Sequence, residues 1–270
     1  MTGPISLIGG KLRLANAIIA LFPRHKSYIE PFGGGGQVLF HKPPSEMEVF
    51  NDLDGEVINF FRICQHHHGE LLRCLHYYLC SRDWFESLKK TDVKSLTDVQ
   101  RAARFFYIRK LAFGGRVVNP SYGYRVTRKQ CFRPGAIAPI IEATYQRLRD
   151  VQIECLPYQQ ILKRYDRSES LFYCDPPYWN TSYYNHNFTK PDFEEFEAAL
   201  HKLKGRFIIS LNDTPEVRQL FNSFTITSVA LSYTLNRHKR NTARKEILIH
   251  NIPSRLKDLS EAKLHSASNK

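Results

Sequence analysis

The stretch richest in chemical possibility is Leu171-Phe172-Tyr173-Cys174-Asp175-Pro176-Pro177-Tyr178. Its apolar run reads as a buried strand that delivers an acid, two prolines and an aromatic ring at the carboxyl end, where open α/β sheets bind ligands. Those residue types suit the activation of an aromatic exocyclic amine. Such a nitrogen is a poor nucleophile because its lone pair is delocalised into the ring, and two acceptors on its hydrogens favour a more pyramidal, reactive form. The Asp175 carboxylate and the Pro176 carbonyl supply those acceptors. The prolines lack N–H donors and fix the turn, and Tyr178 offers a face for stacking on a base. Asp175, Pro176 and Tyr178 are therefore the expected catalytic group. The alternative, a rigid Asp-Pro turn, leaves unexplained why acceptor, rigidity and ring arrive together at a strand's end.

A second group of residues suits a cofactor. Positions 28 to 32 read as a short strand that breaks into Gly33-Gly34-Gly35-Gly36, after which Val38, Leu39 and Phe40 begin a helix. Glycines after a strand let a ligand approach the backbone, and an acid at the end of the next strand accepts hydrogen bonds from ribose hydroxyls. Asp52, closing Val49-Phe50-Asn51-Asp52, stands in that place. The spaced glycine fingerprint of a dinucleotide site is missing, so a compact nucleoside such as S-adenosylmethionine fits better than a pyrophosphate-bearing cofactor.

The elements that must position these residues alternate. Strands at 28 to 32, 49 to 52, 151 to 155, 171 to 175 and 207 to 211 are separated by helical stretches, which implies an α/β fold with a mainly parallel sheet. Positions 224 to 235 with 246 to 250 read as a closing antiparallel hairpin. Between them, residues 65 to 149 change character to helices rich in Arg, Lys and aromatics, with an irregular Gly/Pro/Tyr stretch at 117 to 139. Thr97 and Gln100 make a capping box there, and Gly114-Gly115 can supply a left-handed helix cap. The expected organisation is a catalytic, cofactor-binding domain from 1–64 and 150–253, an inserted, mainly helical recognition subdomain at 65–149, and a frayed polar tail at 254–270.

Composition points to the partner. The 270 residues carry a formal net charge of +13, the signature of a polyanion binder. Between positions 99 and 141 there is no Asp or Glu, while Arg109, Lys110, Arg116, Arg125, Arg128 and Lys129 are interleaved with Phe113, Tyr122 and Tyr124. These residues, with Arg237, Lys239 and Arg240 in the hairpin, are the expected nucleic-acid contacts. The six cysteines show no metal-ligand spacing and read as small buried hydrophobes, and no metal site is expected. No apolar run is long enough for a membrane span and no signal peptide opens the chain, so a cytoplasmic protein that makes no membrane contact is expected.

On these motifs the chain resembles the Dam-like (D12 class) family of DNA adenine-N6 methyltransferases, over most of its length and in the same order. The family's Trp-Ala-Gly-Gly-Lys is similar to Leu7-Ile8-Gly9-Gly10-Lys11, its Glu-Pro-Phe-x-Gly-x-Gly to Glu30 through Gly36, and its ribose-binding acid to Asp52. Its catalytic tetrapeptide is Asp175 to Tyr178 unchanged, and Ser210-Leu211-Asn212-Asp213-Thr214 resembles a later motif. The resemblance implies a Rossmann-like methyltransferase fold in which Leu7, Lys11, Glu30, Phe32, Gly34, Gly36, Asp52, Tyr158 and Asp175 surround S-adenosylmethionine. It implies further that double-stranded DNA is the substrate, that the adenine is flipped from the stack, and that a restriction endonuclease is a candidate partner. Leu7 replaces a Trp beside the cofactor, and Pro157-Tyr158 replaces an Asp-aromatic pair. Gly114 and Val118 stand where part of the family has a DNA-contacting Asn and a base-reading Arg, which implies a target other than strict GATC.

Two other readings stay open. Asp-Pro-Pro-aromatic tetrapeptides also serve RNA guanine-N2 methyltransferases, against which the basic insert argues. A nucleic-acid-binding relative with weakened catalysis is the other, which the intact tetrapeptide opposes. Methylation of a cytosine ring carbon is excluded, because the Pro-Cys pair expected of its nucleophile occurs nowhere in the chain.

Overall fold

In a computed structural model, which describes residues 1–5, 11–123, 132–181, 187–229 and 246–253, the apolar runs form one sheet. Its strands are β1 (Ser27–Glu30), β2 (Met47–Asn51), β3 (Val151–Glu154), β4 (Ser170–Cys174), β5 (Arg206–Asn212), β6 (Thr225–Val229) and β7 (Glu246–His250). The order across the sheet is β3-β2-β1-β4-β5-β7-β6. The first five run parallel, and β7 enters antiparallel between β5 and β6. Burial on both faces explains why β4 reads as an unbroken apolar run: all five of its residues are buried. After β3 the chain returns to the far side of β1, so the strand order reverses between β1 and β4. Such a switch point opens a crevice at the carboxyl ends of the strands.

The helices are α1 (Ala15–Ala20), α2 (Gln37–His41), α3 (Gly55–His66), α4 (His68–His76), α5 (Arg82–Lys90), α6 (Asp98–Leu111), α7 (Pro134–Leu148), α8 (Tyr158–Tyr165), α9 (Lys190–Leu200) and α10 (Pro215–Leu220). One sheet face packs on α8, α9 and α10 through Ile161, Phe193, Phe196 and Val217. The other packs on α1 and α3, and that same core continues without a break through Leu71, Phe85, Phe106 and Ile141 of α4 to α7. The helices between β2 and β3 thus share the core of the sheet. Arg147 of α7 secures this by binding the buried Glu48 at the start of β2 and donating 2.8 Å to the Leu39 carbonyl.

Three local expectations are corrected. Although Thr97 and Gln100 do cap α6, that helix ends at Ala112 in extended conformation, and Gly114 and Gly115 take their positive φ of 64° and 70° in the turn that follows. Ala112 leaves the helix because it pairs with Tyr122, with Phe113 N donating to Ser121 O at 2.8 Å. The irregular stretch stops at Pro134 rather than 139: Pro134 lies in the first turn of α7, where its missing N–H costs little. Among the cysteines, Cys64 and Cys174 are buried but Cys155 is exposed. The tail from 254 lies outside the described residues.

Candidate active site

The sheet brings two acids to the switch point, Glu30 ending β1 and Asp175 just past β4. Between them and the glycine loop opens a cleft of about 550 Å3, within the usual range for a small-molecule site. It is lined by Lys11, Glu30, Phe32, Gly34, Asp52, Tyr158 and Asp175, seven of the nine residues expected at the cofactor. Gly36 is not among them. Its φ of 65° opens α2, and a side chain there would meet the Phe40 ring at 2.9 Å, so it serves the turn and the core. Leu7 lies outside the described residues.

The loop is built for close approach. Gly33 N donates 2.7 Å to Asn51 O, and a Cβ on Gly33 would fall 2.3 Å from the Phe50 ring. Asp52 stitches the loop to β2: its Oδ2 accepts from Gly34 N at 2.7 Å and its Oδ1 from Asp54 N at 2.8 Å. Opposite, Asn51 donates to Pro31 O and Leu156 O and accepts from Leu156 N, which holds the loop after β3 against the cleft. Phe32, Leu53, Val57, Leu156 and Tyr158 make the walls of this end apolar, and the buried Tyr158 hydroxyl has no partner among the described residues. Burial raises that hydroxyl's pKa. An apolar-walled cleft that also carries acids and an unpaired hydroxyl fits a nucleoside.

At the other end the tetrapeptide is held by Lys11 and by two residues of β5. Lys11 Nζ lies 2.8 Å from Asp175 Oδ1 and donates 2.5 Å to Tyr178 OH. From β5, Ser210 Oγ donates to Asp175 Oδ1 at 3.0 Å, and Asn212 clasps the backbone of Trp179, accepting from its N at 3.1 Å and donating to its O at 3.3 Å. Burial pushes the Asp175 carboxyl above its usual range, and the Lys11 charge and the Ser210 hydrogen bond pull it back. Burial pushes Glu30 further, up to about 8, against hydrogen bonds from Tyr28 OH (2.9 Å) and Leu39 N (3.2 Å). Tyr178 is likewise raised by burial and by the nearby negative charge of Asp175. Pro176 is buried and Tyr178 half-buried. The geometry offers a carboxylate acceptor beside a nucleoside slot, the arrangement needed for transfer to an amine.

The expected nucleic-acid residues divide. Phe113, 68% exposed, and Arg116 project from the turn after α6, next to Val117 in the cleft wall. Lys110 stays on α6 with Nζ 5.4 Å from the Phe106 ring centroid. Arg109 does not face outward: it lines the cleft, and its Nη1 donates 2.8 Å to Arg116 O, bracing the turn from within. Tyr122 is also turned inward, edge-on to Phe85 at 5.5 Å with Arg82 over its ring, because it pairs with Ala112. Tyr124, Arg125, Arg128, Lys129, Arg237, Lys239 and Arg240 lie outside the described residues. Part of the acid-free run is engaged within the fold: Arg101 is neutralised by Glu56 of α3, and Arg104 donates to Leu88 O and Lys89 O of α5. Sequence reasoning did not assign roles to Tyr173 and Asn51. Ser210 and Asn212, alternate residues on β5 whose side chains share one face, were the available signal.

Comparison with known proteins is consistent with this geometry. A family model described as D12 class N6 adenine-specific DNA methyltransferase matches residues 7–235. Type II methyltransferase M1.LlaDCHI of Lactococcus lactis subsp. cremoris is 26% identical, covering 90% of this chain and 93% of its own. The DNA N-6-adenine-methyltransferase of Escherichia phage P1 is 23% identical over 79% of this chain and 30% of its own. A DNA adenine methylase of Vibrio cholerae serotype O1 is 25% identical over 85% and 88%.

Proposed function

The chain belongs to the family of D12 class N6 adenine-specific DNA methyltransferases, and from that premise we propose how its own residues divide the work of methylating adenine in DNA. The observation that carries the proposal is Asp175, held beside a nucleoside-sized cleft at the switch point of the sheet. The cleft fits S-adenosylmethionine: the glycine loop, Asp52, Phe32 and Tyr158 would hold its nucleoside, Asp52 by accepting hydrogen bonds from the ribose hydroxyls. When bound, this cofactor supplies an activated methyl group on a sulfonium sulfur.

The Asp175 carboxylate and the Pro176 carbonyl accept the hydrogens of the adenine amine and raise its nucleophilicity, while Tyr178 stacks on the base. The amine of a paired adenine is buried in the stack, so the base is flipped into this pocket from duplex DNA. Residues 1–64 and 150–253 carry cofactor and catalysis, and 65–149 read the target. Phe113 and Arg116, exposed beside the cleft, support that assignment. Gly114 and Val118 offer no base-reading hydrogen bond, so a target other than GATC is proposed, to be read by mapping methylated adenines in DNA from expressing cells.

The type II methyltransferase names among the relatives support a restriction endonuclease as a functional partner. No described helix is long and apolar enough to cross a membrane, and a cytoplasmic site, where DNA and cofactor meet, is proposed with it. The test is transfer of labelled methyl from S-adenosylmethionine to duplex DNA and to RNA, followed by nucleoside analysis. Label in N6-methyladenine from DNA is the expected result. Label in guanine from RNA would overturn it.

A further inference from the structure

Asp175 has two carboxylate oxygens, and they are treated differently. Oδ1 accepts from both Lys11 Nζ and Ser210 Oγ, whereas among the described residues Oδ2 takes no hydrogen bond. The parallel register pairs Cys174 with Ile209, which sets Ser210 level with Asp175 on the adjacent strand. Ser210 is fully buried, and among the described residues its hydroxyl's other partner is Tyr173 OH at 2.8 Å. A carboxylate has no proton to give, so the single Ser210 hydrogen points at Asp175, and Tyr173 must donate to Ser210. The result is a directed chain, Tyr173 to Ser210 to Asp175, in which each bond polarises the next.

We propose that Ser210, backed by Tyr173, is a positioning residue for catalysis: it fixes the Oδ1 edge of the Asp175 carboxylate so that Oδ2 is presented to the target amine. This rests on Asp175 being that amine's acceptor. Lys11 supplies charge from the end of a long side chain, but direction comes from Ser210, whose short side chain is set by the strand itself. A buried serine satisfied for packing alone would affect stability. A positioning serine acts on the carboxylate's rotation and on its proton affinity.

The test compares Ser210→Ala, Tyr173→Phe and Asp175→Ala with the parent full-length chain, reading kcat, both KM values, the pH profile, melting temperature and S-adenosylhomocysteine binding. For Ser210→Ala, kcat should fall about 10- to 100-fold, as for loss of a hydrogen bond to a charged group, with cofactor binding unchanged. The acid limb of its profile should move to higher pH, because a hydrogen bond that favours the carboxylate is gone. Lys11, Glu30, Tyr173, Tyr178 and Glu246 also act on this site and are the same in parent and variant. Tyr173→Phe should lose less, about 2- to 5-fold, since only the second bond of the chain is removed. Two results overturn the inference while Asp175→Ala is inactive: a Ser210→Ala kcat within about twofold of the parent with an unmoved acid limb, or a loss matched by weakened cofactor binding and melting. An active Asp175→Ala would instead overturn the catalytic reading, and this inference with it.

Discussion

Lys11 Nζ lies 2.8 Å from Asp175 Oδ1 and reaches Tyr178 OH at 2.5 Å, so one ammonium joins the acid and the ring of the tetrapeptide. Lys11 also lines the cleft, as its resemblance to a cofactor residue implied, and its contacts include Asp175 and Tyr178 of the tetrapeptide and Glu246. Replacing it by Met leaves the burial of Asp175 unopposed by charge. The carboxyl then titrates higher, and activity is lost at a higher pH on the acid side than in the parent. A profile of kcat against pH checks this. A Lys11→Met variant with reduced cofactor affinity and an unshifted acid limb would return the residue to the cofactor alone.

Glu30 predicts a stability effect of opposite sense to that of an ordinary salt-bridged acid. Its folded pKa is pushed up to about 8 from 4.5, so the protonated form is favoured on folding. The stabilisation from that proton is fully present below pH 4.5 and is lost as pH rises through about 8. Glu30→Gln keeps the shape without the titration. Melting temperature of the parent should therefore decline relative to the variant between these limits, and parallel curves would contradict the assignment.

Asp52→Ala should weaken S-adenosylhomocysteine binding by about 1.5–3 kcal/mol, the range for losing a charge-assisted hydrogen bond. Part of that loss comes from the protein itself, since Asp52 holds Gly34 N and thereby the glycine loop. Calorimetric titration of cofactor and of DNA separates the effects: DNA affinity should hold, and an unchanged cofactor constant would refute the role.

Arg116 and Phe113 are exposed on the turn that Arg109 braces. Arg116→Ala should weaken DNA binding across sequences and flatten the slope of log K against log salt by about 1, as for one phosphate contact. Phe113→Ala should weaken binding with the slope intact. Fluorescence anisotropy at several salt concentrations reads both, and an unaltered slope for Arg116→Ala would move the phosphate contact elsewhere.

What was legible in the sequence was what depends on local period and order. Buried strands such as Ser170–Cys174 announce themselves as apolar runs, and the glycine loop marks the first crevice because only glycine tolerates the approach of Gly33 to Phe50. What was hidden depends on neighbours distant in the chain. An acid-free run looks like a bare basic face until Glu56 is seen beside Arg101, and Arg109 looks outward until its carbonyl partners turn it in. The place of Tyr122 is hidden for the same reason, since it is set by Ala112 and Phe85. Ser210 gains its role only from the pairing of β4 with β5.

The central claim is that Asp175 activates an adenine amine in DNA. Its most direct test is single-turnover methyl transfer by the parent and by Asp175→Ala at saturating cofactor and duplex DNA, with the product nucleoside identified. The parent should yield N6-methyladenine. The variant, folded and still binding S-adenosylhomocysteine, should be slower by about a thousandfold or more, as for removal of a group whose interaction strengthens in the transition state. A variant rate within about twofold of the parent would contradict the account.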